Sequence, residues 1–377
     1  LDNGATSYPK APGVADAMCR YIEQIGSNVS RGSTHEAFET QRVLLETREK
    51  MAHLLHFDDA THVVFTKNIT ESLNILLKGL LTSGDHVIIS PLEHNAVMRP
   101  LKALEKQGVS ISKASCDHEG NLDIASITPL IKPHTKAIVM THASNVCGTV
   151  LDLVSVGKIA KVHNLYFIID AAQTVGILDV DFKRLQADAL AFTGHKALLG
   201  PQGTGGFLIT KELAQLISPL ILGGTGSASD SEEQPEYMPD KFESGTPNTV
   251  GLFGLHAALT FIEKEGLEAL GTLEMKHTKR FLEALEEIPT LRIVGRSDLE
   301  ARTAVVSLDF LKHDNADICW RLDQEFGIAT RVGMHCAPSA HHALYTYPQG
   351  TVRFSFSPFT TDEEIETAIN AVIALAI

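Results

Sequence analysis

The feature that most limits the fold is a train of short, almost unbroken apolar runs separated by amphipathic stretches. The runs are "VVFT" (63–66), "HVIIS" (86–90), "AIVMTH" (137–142), "YFIID" (166–170), "ALAFTG" (189–194) and "GGFLIT" (205–210). Strands that are apolar at nearly every position are strands buried on both faces. The segments between them, such as "AVMRPLKALEKQG" and "DLVSVGKIAKVHN", carry their apolar residues at helical spacing. Strand–helix alternation predicts an α/β fold, a mostly parallel sheet flanked by helices. Ligands of such sheets bind beyond the carboxyl ends of the strands. That rule selects five short stretches: Thr66–Thr70, Glu93–His94, His142–Asn145, Asp170–Gln173 and Thr193–Lys196.

The rest of the chain reads differently. Residues 223–241 are rich in Gly, Ser and acid, without a period, and read as a mobile surface loop. Residues 249–288 are strongly helical. Beyond Pro289 come "LRIVG", "TAVVSLDF", a helix at about 315–327, "VRFSFS" and a final helix from Thr361, which predicts a smaller α+β C-terminal domain. A chain of 377 residues exceeds one typical core. The expected division is a large domain at 15–255 and a small one made of 1–14 and 256–377. With 46 acidic against 32 basic side chains, neither nucleic acid nor an anionic membrane is expected as the main partner. No apolar run is long enough to cross a bilayer. Five scattered cysteines fit a reducing compartment, the cytoplasm, better than a disulfide framework. The opening "LDNGATS" has no charged-then-apolar leader, and a start at Leu1 rather than Met suggests that a few residues precede it.

Two residues at strand ends demand chemistry. Asp170 closes "YFIID", and a carboxylate there is costly unless paired. A helix cap or a structural ion pair would satisfy it. So would the protonated ring nitrogen of pyridoxal 5'-phosphate, which needs a carboxylate partner to act as an electron sink. That cofactor also needs a lysine for its Schiff base, and Lys196 follows the next apolar run. Lysine is seldom buried without a reason. In "FTKNITESLN", Asn68 and Glu71 have capping-box spacing, and the helix start with the Thr70 hydroxyl forms an anion site. Thr193 and His195 flank the lysine and add donors. His94 is either an ordinary satisfied histidine or a flat ring that stacks on the pyridine. Gln173 and Asn145 are neutral amides suited to the ring oxygen and to substrate.

The stretches "LDNGATS", "LEHNAV", "HASNVCGT", "IDAAQTVG", "TGHKALLGPQGTGGFLI", "FESGTPN" and "RVGMHCAP" occur in this order. Together they resemble the class V aminotransferase family of pyridoxal phosphate enzymes (fold type I), closest to its cysteine desulfurase and selenocysteine lyase branch, over nearly the whole chain. The resemblance implies that Lys196 holds the cofactor and moves protons, that Asp170 pairs with the pyridine nitrogen and Gln173 with the ring oxygen, and that His94 stacks on the ring. It implies that Thr70, Thr193 and His195 bind the phosphate, that Thr246 reaches the phosphate of a neighbouring subunit in a homodimer, and that Arg353 and Arg331 hold the substrate carboxylate with Asn145 beside them. An arginine fork suits a carboxylate.

A cysteine is usually a small buried hydrophobe, but Cys336 lies in "RVGMHCAPSAHH", which has the composition of a loop. In the desulfurases it resembles, the loop cysteine takes sulfur from the substrate and passes it to an acceptor, a task that needs a thiolate. His335 and Arg331 are the neighbours expected to favour one. A metal at His335, Cys336, His341 and His342 lacks a second ligand cluster at zinc spacing, and no metal is expected. Three positions depart from the family pattern: Met334 where a histidine is common, Ile69 where the phosphate loop has a hydroxyl, and Gly4 where alanine is usual. The expected activity is conversion of L-cysteine to L-alanine with a persulfide on Cys336. Its rivals are selenocysteine lysis, transamination or epimerisation, and, outside catalysis, an idle scaffold of a sulfur-transfer assembly.

Overall fold

The computed structural model describes residues 1–28 and 34–376. Helices α1 (Val14–Arg20) and α2 (His35–Leu54) precede β1 (Val63–Thr66); α3 (Ile69–Leu80) leads to β2 (His86–Ile89) and α4 (Asn95–Glu105) to β3 (Ser110–Lys113). Then come β4 (Thr135–Thr141), α5 (Leu153–Val162), β5 (Tyr166–Asp170), β6 (Ala189–Thr193), β7 (Gly205–Ile209) and α6 (Lys211–Leu216). These strands form one sheet in the order β1-β7-β6-β5-β4-β2-β3. Strands β3, β2, β4, β5 and β6 pair in parallel, whereas β7 is antiparallel to both β6 and β1. Because β7 is reversed between them, β1 runs in the direction of the parallel set. The carboxyl ends of β1, β2, β4, β5 and β6 therefore open on one edge, and the five stretches selected above all lie there.

Strands β2, β6 and β7 are buried at every position, which is why they read as unbroken apolar runs. β5 shows how both faces are used: Phe167 and Ile169 pack with residues of α2, α5 and α7, while Ile168 packs with those of α3 and α4. The edge strand β3, "SISK", is only half-buried. It carries no continuous apolar signal because an edge strand is not enclosed as a central one is, and the periodicity reading passes over it.

The C-terminal part contains α7 (Thr249–Glu265), α8 (Leu267–Leu285), β8 (Leu291–Val294), β9 (Val305–Phe310), α9 (Asn315–Phe326), β10 (Arg331–Gly333), α10 (Pro338–Ala343), β11 (Thr351–Ser355) and α11 (Asp362–Ala376). Its four strands make an antiparallel sheet ordered β10-β11-β9-β8 over a separate core that includes Phe281, Leu285, Val306, Phe354 and Val372. The short β10 and α10 lie inside the segment that the sequence reads only as a loop. Position 255 falls within α7, whose Leu255, Leu259 and Ile262 belong to the large core. We place the change of core along α8, between Leu270 and Phe281. Residues 223–241 form neither helix nor strand. The N-terminal residues run between the two units: Gly4 N–H donates to Ser355 Oγ at 2.7 Å, Ser7 N–H to the His195 carbonyl at 2.9 Å and Ala11 N–H to the Leu199 carbonyl at 3.0 Å.

Candidate active site

In the sheet register Asp170 stands between Thr141 of β4 and Ala191 of β6, and β6 leads straight into the turn that carries Lys196. Gly194 opens that turn because a Cβ there would meet Thr204 Oγ1 at 2.1 Å. The turn is closed by Gly200 N–H to the Gly194 carbonyl and Leu199 N–H to the Lys196 carbonyl, each 2.8 Å. Burial pushes the Lys196 amine down to about 8; the Asp170 charge opposes this, and the Arg353 and Arg331 cations add to it. Asp170 is buried, and burial raises its carboxyl, opposed by the Ala172 N–H, which donates to Oδ1 at 3.0 Å, and by the Lys196 charge. An amine moved toward neutrality and a carboxylate without a bonded cation are the two ends a protonated, aldehyde-bearing ring would join.

Beside them, Thr193 Oγ1 and His195 Nδ1 are buried without a hydrogen-bond partner. Buried polar atoms are rarely left so unless a ligand completes them. His195 is pushed down to about 4 by burial and by the Lys196 and Lys10 charges. The residues around Lys196 thus fit pyridoxal phosphate: an amine for the aldehyde, a buried carboxylate for the ring nitrogen and unmet polar atoms for its oxygens. Thr70 is exposed on the first turn of α3. The cap below it is shifted by one residue: Asn68 Oδ1 accepts from Glu71 N–H at 3.0 Å, but Glu71 accepts from Lys67 N–H at 2.7 Å. Thr246 opens, with Thr66, Lys67 and Asn248, on a cavity of about 420 Å³ whose lining does not include Lys196. Gln173 Nε2 donates to the Gly4 carbonyl at 3.2 Å.

His94 is the N-cap of α4, and its Nδ1 accepts from Ala96 N–H at 3.0 Å, so the ring proton sits on Nε2. Burial, then the Lys196, Arg331, Arg353 and Arg99 charges, push it down to about 4. Its neighbour Glu93 is fully buried. Glu93 Oε1 accepts from Ser90 Oγ and from Thr141 N–H (2.9 Å), while Oε2 has no partner. Burial, with the Asp170 charge adding to it, raises this carboxyl from 4.5 to about 8 against the pull of its hydrogen bonds. The folded protein then binds this proton more tightly than the unfolded chain does, so stability falls as pH rises from the unfolded value to the folded one. Glu93→Gln, which replaces the protonated oxygen by an NH2 group, is expected to lose at least ~1 kcal/mol less stability than the parent between pH 5 and pH 8. Denaturant unfolding at the two pH values measures this, and equal losses would mean that Glu93 ionises in the fold.

Cys336 is exposed at the end of a turn in which Gly333 (φ 104°), His335 (φ 45°) and Cys336 itself (φ 58°) are left-handed. A non-glycine residue in that region costs about 1 kcal/mol or more, and two hydrogen bonds hold the turn in place. Asn95 N–H donates to the Cys336 carbonyl, and Asn145 Nδ2 to the His335 carbonyl, each 2.7 Å. Arg331 Nη2 donates to Cys336 Sγ at 3.6 Å. His335 cannot help. Its Nε2 bonds Thr351 Oγ1 at 2.9 Å, and burial with the neighbouring cations pushes it down to about 2, so it does not supply the positive charge expected of it. The expectation for His335 is corrected accordingly.

Arg331 and Arg353 are direct cross-strand partners in β10 and β11. Like charges placed opposite each other destabilise a sheet unless an anion balances them. Arg353 is buried; Nη2 pairs with Asp2 at 2.8 Å, Nη1 donates to the Asn145 carbonyl at 3.1 Å, and Nε has no partner. The Asn145 side chain is thus committed to the cysteine turn, and its backbone touches the arginine. Sequence reasoning missed Asp2 and Lys10 as members of this region, and it selected Glu93 only as part of a strand-end stretch, with no role. Asp2 lies in the quoted "LDNGATS", but its partner is 351 residues away, and no local pattern reports such a pair. Among the described residues no group of three His, Cys, Asp or Glu stands together as a metal site.

The chain matches the family Aminotransferase class-V over residues 1–367. It is 36% identical to a probable cysteine desulfurase of Pyrococcus abyssi, with 99% of this chain and 92% of the relative aligned, and 32% identical to a cysteine desulfurase of Serratia proteamaculans, with 97% and 91% aligned. Among solved structures it superposes on the apo cysteine desulfurase of Thermococcus onnurineus with a TM-score of 0.93 at 34% identity, covering 100% of this chain and 94% of that one. A cysteine desulfurase of Escherichia coli gives 0.88 at 28% identity, covering 99% and 93%. With its parallel sheet of fold type I, its lysine and buried aspartate at adjacent strand ends, and these relatives along its full length, the chain belongs to the class V aminotransferase family of pyridoxal phosphate enzymes.

Proposed function

We propose that the protein is a cysteine desulfurase that converts L-cysteine to L-alanine and leaves the sulfur as a persulfide on Cys336. One observation carries this reading: an exposed thiol on a pinned left-handed turn, with a guanidinium donating to its sulfur. A transaminase needs the lysine and the arginine but has no use for that thiol.

Bound at Lys196, pyridoxal phosphate would supply through its protonated ring a sink for electrons released at the substrate Cα. Asp170 would hold the proton on the ring nitrogen, His94 would cover the ring, and Gln173 would bond its phenolic oxygen. Thr193 and His195, with Thr70 at the start of α3, would receive the phosphate. Arg353 and Arg331 grip the substrate carboxylate, with Asn145 fixing the first of them through its carbonyl. Lys196 takes the proton from Cα. The Cys336 thiolate attacks the substrate sulfur: an S–S bond forms, the Cβ–S bond breaks, and its electron pair stays on carbon. That carbon takes up a proton, so one L-cysteine and one enzyme thiol become one alanine and one enzyme persulfide.

Three further statements belong to this reading. The protein acts as a homodimer, in which Thr246 completes the phosphate site of the other subunit; its separate cavity and the nearby exposed Leu220, Ile221 and Leu222 support this. The persulfide passes to a sulfur-acceptor protein, for which the exposure of Cys336 provides access. The enzyme works in the cytoplasm, in keeping with five free cysteines among the described residues; no helix among them is long and apolar enough to cross a membrane. The test is a spectrum of the purified protein with pyridoxal phosphate, before and after L-cysteine, with alanine and released sulfur quantified. A colour that shifts with L-cysteine and alanine formed in step with sulfur is expected. A protein that stays colourless, or forms a keto acid in place of alanine, overturns the reading.

A further inference from the structure

Lys10 is a half-buried cation that the chemistry above does not use. A lysine stem that only covers apolar surface carries its ammonium out to water; Lys10 turns inward. Its three protons meet three neutral oxygens: Thr6 Oγ1 at 3.3 Å, Ser7 Oγ at 3.1 Å and the His195 carbonyl at 3.0 Å. No ion pair joins it to a carboxylate among the described residues, and burial alone pushes it down to about 8. The His195 carbonyl also accepts from Ser7 N–H at 2.9 Å and from the Thr6 and Ser7 hydroxyls at 3.2 Å each. Four donors from one N-terminal strap thus converge on a single carbonyl, which has two lone pairs.

That carbonyl belongs to the peptide group joining His195 to Lys196. The next carbonyl, of Lys196 itself, is held from within the turn by Leu199 N–H. The lysine Cα is therefore fixed from one side by its own turn and from the other by the strap. Five side-chain bonds separate that Cα from the amine, a lever arm over which a tilt of the peptide plane becomes a larger displacement of the reacting nitrogen, where misplacement by about 1 Å can cost a hundredfold. We propose that Lys10 is a positioning residue for Lys196: its ammonium clamps the His195 carbonyl and so sets the direction from which the lysine amine meets the cofactor aldehyde. The proposal rests on the reading of Lys196 as the cofactor-linking residue.

The test separates positioning from binding. Lys10→Met and Lys10→Arg are made in the parent and in a Lys196→Ala background. Cofactor-free proteins are given pyridoxal phosphate. Covalent capture is followed by absorbance, with borohydride trapping and peptide mapping to locate the link; affinity in the Lys196→Ala background is measured by equilibrium dialysis. Lys10→Met is expected to slow capture at Lys196 by on the order of tenfold to a hundredfold. In the Lys196→Ala background the same change is expected to alter affinity by no more than about twofold, as for independent sites. Lys10→Arg should restore only part of the rate, because a planar fork does not reproduce three ammonium protons. Should Lys10→Met fail to fold, Ser7→Ala keeps the charge but removes one acceptor and one donor, and is expected to slow capture in the same direction by less. Capture at the parental rate in Lys10→Met, or in Ser7→Ala where that stands in, overturns the proposal. So does an affinity loss without Lys196 as large as the slowing with it, which would make Lys10 a plain binding residue. Failure of the parent itself to capture the cofactor would overturn the reading of Lys196 beneath it.

Discussion

Cys336→Ser is expected to reduce alanine formation from L-cysteine by at least ~10³-fold while the protein keeps its colour with pyridoxal phosphate. The loss is large because a serine hydroxyl is not ionised at neutral pH and is a poor nucleophile toward sulfur, whereas a thiolate is a strong one. The colour persists because Lys196, Asp170, Thr193 and His195 are untouched, and because the turn is held by the backbone carbonyls of His335 and Cys336, not by the thiol. After a single addition of L-cysteine, the parent should gain the mass of one sulfur atom on the peptide carrying Cys336, and the variant should not. A serine variant that forms alanine within tenfold of the parent would remove Cys336 from the reaction.

Asp170→Asn is the second large effect, a fall of about 10³-fold in alanine formation with a far smaller change in KM, the magnitude typical of losing one preorganised electrostatic partner. An asparagine can still accept from Ala172 N–H, so the end of β5 should keep its shape. What it lacks is the negative charge that keeps a proton on the ring nitrogen. The same change removes the charge that most opposes the lowering of the Lys196 amine. Covalent capture of the cofactor should therefore not slow at pH 7, because more of the lysine is neutral and reactive. Slow turnover with undiminished capture is a pattern that general unfolding does not produce. A variant that retains more than a tenth of the parental turnover would assign the electron sink to another group.

Local regularities made much of this legible beforehand. A strand buried on both faces must be apolar throughout, so each of the six runs stands out without any knowledge of its neighbours, and the rule that ligands bind beyond parallel strand ends points to Lys196, Asp170 and His94 together. The edge strand β3 was invisible to that reasoning because half-burial leaves no continuous signal. The short β10 and α10 were invisible because three or six residues are too few to show a period.

The sequence by itself determined which chemical groups this protein possesses and on which strand end each sits, because hydrophobic periodicity and turn chemistry act over a few neighbouring residues. Only the tertiary structure decided which groups face one another. Asp2 against Arg353, Lys10 against the His195 carbonyl, Arg331 opposite Arg353, and His335 turned to Thr351 instead of serving Cys336 are all contacts across the fold. Their energies depend on distance and burial in space, which nothing in the order of residues encodes locally.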